Sequence, residues 1–195
     1  LALGLTLLAG CSNDRTDVTS PLATPSAAPS GDLLGALGGL LNNTLSLVGN
    51  VKRTTPLAAA ISVQQTIGAA GGTMTIPSAG VTVVFPAGAL ASNTTITMTA
   101  RAGSAVAYDF APHGITFAKP LVFTQNLSGT NVSLLTAPLL NLGYYTDPSL
   151  IGTVTTLVSE LIGGTTNLLS WKFTSSIRHF SGYMVACGRG GASDE

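Results

Sequence analysis

From about residue 61 onward, apolar and polar side chains alternate along this chain with a period of two. Thr95-Ile96-Thr97-Met98-Thr99 is the cleanest run, with Ile96 and Met98 on one face and the threonines on the other. Ile115 and Phe117, Leu121 and Phe123, and Leu169, Trp171 and Phe173 repeat the pattern. Successive side chains of a strand point to opposite faces, so this alternation predicts strands with one buried face. Turn-forming residues separate the runs: Ala70-Gly71-Gly72, Pro77-Ser78-Ala79-Gly80, Pro86-Ala87-Gly88, Ala91-Ser92-Asn93, Pro112-His113-Gly114 and Gly163-Gly164. Short alternating strands with frequent turns specify an all-β domain. We expect a single antiparallel β-sandwich over residues 61–190 and a short tail at 191–195. A segment of about 130 residues is ample for one hydrophobic core.

The residues before 61 follow other rules. Residues 11–30 hold Thr19-Ser20-Pro21, Thr24-Pro25-Ser26 and Ala28-Pro29-Ser30. Few large apolar groups are present to offset the entropy of ordering, so this stretch reads as a tether. Extended at ~3 Å per residue, it reaches roughly 50–60 Å. Residues 31–60 form an apolar linker. Leu33, Leu37, Leu40, Leu41 and Leu45, with Val48, keep the spacing of a helical stripe up to Arg53. Asp32 is placed to cap its start, and Lys52-Arg53 suit its C-terminal dipole. Gly35, Gly38 and Gly39 weaken it, each by ~1 kcal/mol relative to Ala. A helix docked on the domain, a helix lying on lipid and a part-time helix all fit this pattern.

Composition excludes several partners. The net charge is +0 and only 8% of residues are charged, so the chain has no basic footprint for nucleic acid. The 23 glycines suit strands and turns better than helices. At the start, the apolar run Leu1-Ala2-Leu3-Gly4-Leu5-Thr6-Leu7 closes on Leu8-Ala9-Gly10-Cys11 and gives way to Ser12-Asn13-Asp14-Arg15. An apolar stretch ending in small residues has the form of a secretory signal, and it is too short to span a bilayer. Leu-Ala-Gly-Cys resembles the bacterial lipobox, whose cysteine is acylated and becomes the first residue of the mature protein. The resemblance implies a signal at residues 1–10, truncated at its N-terminus, with lipid on Cys11. It also implies residence in the bacterial cell envelope, the outer membrane being favoured by Ser12 after the cysteine. With Cys11 taken up by lipid, Cys187 reads as a small apolar filler at a strand end.

Two further segments carry a resemblance to a known family. The run from Gly71-Gly72-Thr73-Met74-Thr75-Ile76-Pro77 through Val81-Thr82-Val83-Val84-Phe85-Pro86-Ala87-Gly88-Ala89-Leu90 resembles the opening of a ZU5 domain. Phe110-Ala111-Pro112-His113-Gly114-Ile115-Thr116-Phe117-Ala118-Lys119-Pro120-Leu121 is similar to that family's later Gly-Pro-x-Gly-Leu-x-Phe-x-x-Pro segment, with Ala111 in place of glycine. The family is a β-sandwich used for binding or scaffolding. The resemblance implies a non-catalytic domain that meets a protein or envelope-polymer partner, with no cofactor and no metal.

His179-Phe180-Ser181 is a shorter signal. It is similar to the tripeptide at which some ZU5-containing proteins cut their own backbone between Phe and Ser. The chemistry is intramolecular: Ser181 Oγ adds to the Phe180 carbonyl carbon, the amide becomes an ester, and water completes hydrolysis. His179 then moves the proton. In a strand, residues i and i+2 share a face, so His179, Ser181 and Tyr183 would line one side. The competing view makes Phe180, Met184 and Ala186 the inward face of a last, regular strand, in which the same peptide is inert. Other constellations are thinner. Asp109, His113 and a serine lack the Gly-x-Ser-x-Gly elbow of a triad, and two histidines do not make an ordinary zinc site. Tyr144-Tyr145 and Trp171 fit core packing better than an exposed contact surface.

The anchor is directly testable. A fatty-acid analogue fed to cells is expected to label the wild-type chain and to leave Cys11→Ala unlabelled. Equal labelling of both removes the lipobox from the account.

Overall fold

The computed structural model describes residues 46–153 and 155–188. The expected signal at 1–10, the expected lipidation site Cys11, the expected tether, the leucines of the stripe up to residue 45 and the tail at 191–195 lie outside the described residues.

The first half of the domain contains β1 (Ser46–Asn50), β2 (Lys52–Leu57), β3 (Ile61–Ile67), β4 (Gly72–Ile76), β5 (Val81–Phe85), β6 (Thr94–Ala100) and β7 (Gly103–Ala105). The second half contains β8 (Ala107–Ala111), β9 (Thr116–Asn126), β10 (Leu140–Tyr145), β11 (Thr155–Val158), β12 (Glu160–Asn167), β13 (Lys172–His179) and β14 (Gly182–Cys187). Three short 3-10 turns, Pro77–Ala79, Ala137–Leu139 and Pro148–Leu150, are the only helical elements among the described residues.

All pairings are antiparallel, in the order β3-β6-β8-β14-β10-β12-β13-β9-β5-β4. The path curls back on itself, and a tight turn with a Gly68–Gly71 bridge links its two end strands. The result is the expected sandwich, nearly closed into a barrel. One layer holds β3, β6, β8, β14 and β10; the other holds β13, β9, β5 and β4. β12 belongs to both. Its first half pairs with β10 through Gly163, and from Gly164 onward it pairs with β13. Strands that switch sheets make the corners of such folds, and they need small residues where they bend.

Period-two patterning places the core as expected. Ile96, Met98, Leu121, Phe123 and Phe173 are fully buried between the layers. A second cluster lies on the outer face of β14 and β10, where Val48, Tyr145, Val158, Met184 and Ala186 pack under the β1–β11 ribbon. β2 pairs with β7 in a separate two-stranded ribbon.

Four expectations are corrected. The helical stripe does not extend to Arg53, because residues 46–57 are strands that belong to the sandwich, which therefore starts before residue 61. In β1 and beyond, Val48, Asn50, Val51 and Arg53 are buried, and strand pairing with β11 and β14 satisfies the backbone of β1. Gly163-Gly164 is a bend inside β12 rather than a break between strands. Leu169 and Trp171 sit in the β12–β13 turn, where Asn167 Oδ1 accepts from the backbone N–H groups of Leu169 and Ser170. Trp171 takes the left-handed φ of 51° that closes this turn. Finally, Phe180 and Met184 face different clusters, because the strand register breaks between them.

The β12 corner yields a stability prediction. A Cβ on Gly164 would lie 2.3 Å from Phe173 Cε2 and 2.6 Å from the Thr174 carbonyl oxygen, whereas one on Gly163 meets nothing within 4 Å. Gly164→Ala is expected to destabilise by ~1–3 kcal/mol through overpacking. Gly163→Ala should change stability by less than ~0.5 kcal/mol. Urea unfolding midpoints of the two variants check this; equal shifts would contradict the corner.

Candidate functional site

His179, Phe180 and Ser181 link β13 to β14. β13 ends at His179, β14 begins at Gly182, and Phe180 and Ser181 fall outside the ladder. The register of β13 against β9 slips just before this, between Ile177 and His179. The linking peptide is therefore not part of a regular paired strand. It is nonetheless held on both sides by β8 and the segment after it. The Phe180 N–H donates to the Ile115 carbonyl at 2.9 Å, the Gly114 N–H donates to the Phe180 carbonyl at 3.3 Å, and the Phe110 N–H donates to the Ser181 carbonyl at 3.1 Å.

The Phe180 ring anchors this corner. It stacks on Phe110 with centroids 5.0 Å apart and meets Phe117 edge-on at 4.7 Å and Phe85 edge-on at 6.1 Å. Such offset and edge-to-face pairs add to the value of the buried area itself. Ser181 is buried beside it.

His179 faces the other way and is committed to different partners. Tyr183 Oη donates to the His179 carbonyl at 2.7 Å and lies 3.2 Å from His179 Nδ1. The phenol has one proton to give, so Nδ1–H is the donor in the second contact. Nε2 lies 3.5 Å from Glu160 Oε2, and Tyr144 meets the imidazole edge-on at 4.9 Å. Burial, reinforced by the charge of Glu160 and by Tyr144, pushes the Tyr183 hydroxyl well above the usual tyrosine range. Tyr183 thus stays a protonated donor.

Chemically, the corner holds part of what a self-acylating serine needs. A backbone N–H points at the Phe180 carbonyl oxygen, where charge would develop during attack. Among the described residues, however, no hydrogen bond joins Ser181 Oγ to His179. The row of side chains expected from strand periodicity is realised only between His179 and Tyr183.

The remaining predicted groups separate. Asp109 accepts from Arg101 Nη1 at 2.6 Å and from Tyr145 Oη at 2.9 Å, while His113 is exposed in its turn. No hydrogen bond or ion pair joins these two residues. Tyr145 is buried in the second core cluster, and Tyr144 and Trp171 are partly buried. Cys187 is buried at the end of β14.

Residues 63–122 match the family model of the ZU5 domain. The domain is ZU5-like. The matched segment runs from β3 to β9 and contains both motifs quoted above. The ZU5-like sandwich continues past it through β10–β14, which carry the His179–Ser181 corner. A search of curated proteins gives no match to the chain.

Sequence reasoning missed one polar group inside the ZU5-like domain. Arg53, Tyr108 and Gln125 form a buried layer at one end of the sandwich. Tyr108 Oη donates to Gln125 Oε1 at 2.5 Å, and Gln125 Nε2 donates to the Ala79 carbonyl at 3.1 Å. Burial pushes the Tyr108 hydroxyl up to about 12, with the Arg53 charge opposing the rise. The signal was Arg53 itself, which continues the buried positions Val51 and Val48 in a strand rather than ending a helix.

Proposed function

We propose that this chain is an exported cell-envelope protein, lipid-anchored through Cys11, whose ZU5-like sandwich serves a non-catalytic binding or structural role. The observation that carries the binding role is a set of leucines exposed at one end of the sandwich. Leu134, Leu135 and Leu139 lie on the β9–β10 loop at 68%, 86% and 50% exposure, and Leu168 and Leu169 on the β12–β13 turn at 50% and 101%. Asn141, at the start of β10, pairs with Gly163 of β12, and Thr166 Oγ1 donates to the Ala137 carbonyl at 2.8 Å, which brings the two loops to the same end. Solvent-exposed apolar groups that cluster in this way mark interaction surfaces.

Export is supported by the Leu-Ala-Gly-Cys boundary, where an apolar run ends in small residues as a secretory signal does.

Self-cleavage between Phe180 and Ser181 is the second reading. The peptide outside the ladder and the Gly114 N–H on the Phe180 carbonyl favour it. The commitment of His179 to Tyr183 and Glu160 weighs against it, because no proton acceptor is bonded to Ser181 Oγ.

The leucine surface is tested by replacing its most exposed members. Leu135→Ser with Leu169→Ser is expected to leave the melting temperature within about 2 °C of wild type, as surface changes do. Photo-crosslinkers placed at positions 134 and 168 should trap an envelope component in wild-type cells and lose that adduct in the double variant. Undiminished crosslinking in the double variant would contradict the role of these leucines.

A further inference from the structure

Arg53 is a charge without a counter-charge. Its side chain is buried at 7% exposure, in a strand whose neighbours on either side point to solvent. Nη1 donates to the Ala105 carbonyl. The guanidinium carbon lies 5.6 Å from the centroid of the Tyr108 ring. Nε and Nη2 have no hydrogen-bond partner. Among the described residues, Asp109 pairs with Arg101 and Glu160 lies beside His179, and no carboxylate is within ion-pair distance of Arg53. A buried, always-ionised group left in this state is costly, and such groups normally occur paired.

The two idle nitrogens are not an arbitrary pair. Nε–H and the adjacent Nη2–H form one edge of the planar guanidinium, with two parallel donors spaced to meet both oxygens of one carboxylate. Arg53 also lines a pocket of about 220 Å³, together with Thr54, Ser78, Asn126, Ser128 and Thr130 among others. Its walls offer hydroxyls, a side-chain amide and backbone groups. The loop that closes it rests on β2: Thr54 N–H donates to the Gly129 carbonyl at 2.8 Å, and Thr54 Oγ1 donates to the same oxygen at 3.0 Å.

We propose that this pocket binds a small hydroxylated carboxylate, held by the Nε–Nη2 edge of Arg53 with its hydroxyls against the Thr and Ser rim. A carboxylate carries one negative charge and neutralises the single positive charge of Arg53. A phosphate at neutral pH carries nearly two and would leave surplus charge in a water-poor site. Both nitrogens are sealed from solvent, so binding requires the wall between them and the pocket to give. This is independent of the leucine surface and of the lipid anchor, and it stands or fails separately from them.

The test is a titration of the full chain with glucuronate, inorganic phosphate and glucose, followed by the Arg53 Nε–H and Gly129 amide signals in nitrogen-15 spectra. Glucuronate is expected to shift both signals saturably, and glucose to shift neither. Arg53→Gln should weaken the Gly129 response by about tenfold or more, the loss expected for hydrogen bonds to a charged group. Should Arg53→Gln fail to fold, Ser78→Trp blocks the rim while keeping Arg53, and it should abolish both shifts. Saturation by phosphate without glucuronate, equal shifts with glucose, or an unresponsive Arg53 signal with all three would each overturn the proposal.

Discussion

Six consecutive residues of β14, Gly182 to Cys187, are buried on both faces, and the rest of the domain is arranged to allow it. Such a strand needs cover on each side. Tyr183, Val185 and Cys187 face the main core, while Met184 and Ala186 face the second cluster beneath the β1–β11 ribbon. Space for this double cover comes from glycines. A Cβ on Gly143 would sit 2.7 Å from Val158 Cγ1, and one on Gly182 would sit 2.1 Å from the Tyr145 ring. β14 also pairs with β8, β10 and β1. It is the strand through which the ribbon, the sandwich and the corner all meet.

The His179–Ser181 corner follows from this. Phe180 faces the main core, as Tyr183 does three residues later. An unbroken strand reverses faces over three residues. The chain resolves the conflict by leaving the ladder for two residues and re-entering at Gly182. The departure that exposes the Phe180–Ser181 peptide to non-ladder partners is thus a demand of packing. The same demand turns His179 toward Tyr183 and Glu160 and away from Ser181.

Much of the fold was legible because the sequence alternates strictly where one face is wet. Thr95–Thr99 and Leu121–Phe123 behave this way, and the Gly and Pro turns around β4 and β5 lie where the motif places them. Alternation carries no information where both faces are covered, as in β14, or where a strand bends between sheets, as at Gly163-Gly164 in β12. β1 and β2 were hidden for a third reason. Their leucine and valine spacing continues a helical stripe, and only pairing with β11, β14 and β7 decides for strand. Tertiary pairing overrides local spacing here. Arg53 was misread with them: a cation beside Lys52 suggests a helix end, and nothing local shows that a strand carries it inward to Tyr108.

If the ZU5-like domain is the non-catalytic module proposed above, its last strand stays covalently continuous with the rest. Intact mass after prolonged incubation and boiling reads this directly, because a nicked β14 would remain docked until denatured. A single mass for the whole mature chain, identical in behaviour to Ser181→Ala, is the predicted result. Loss of a piece beginning at Ser181 from the wild type, but not from Ser181→Ala, would contradict it.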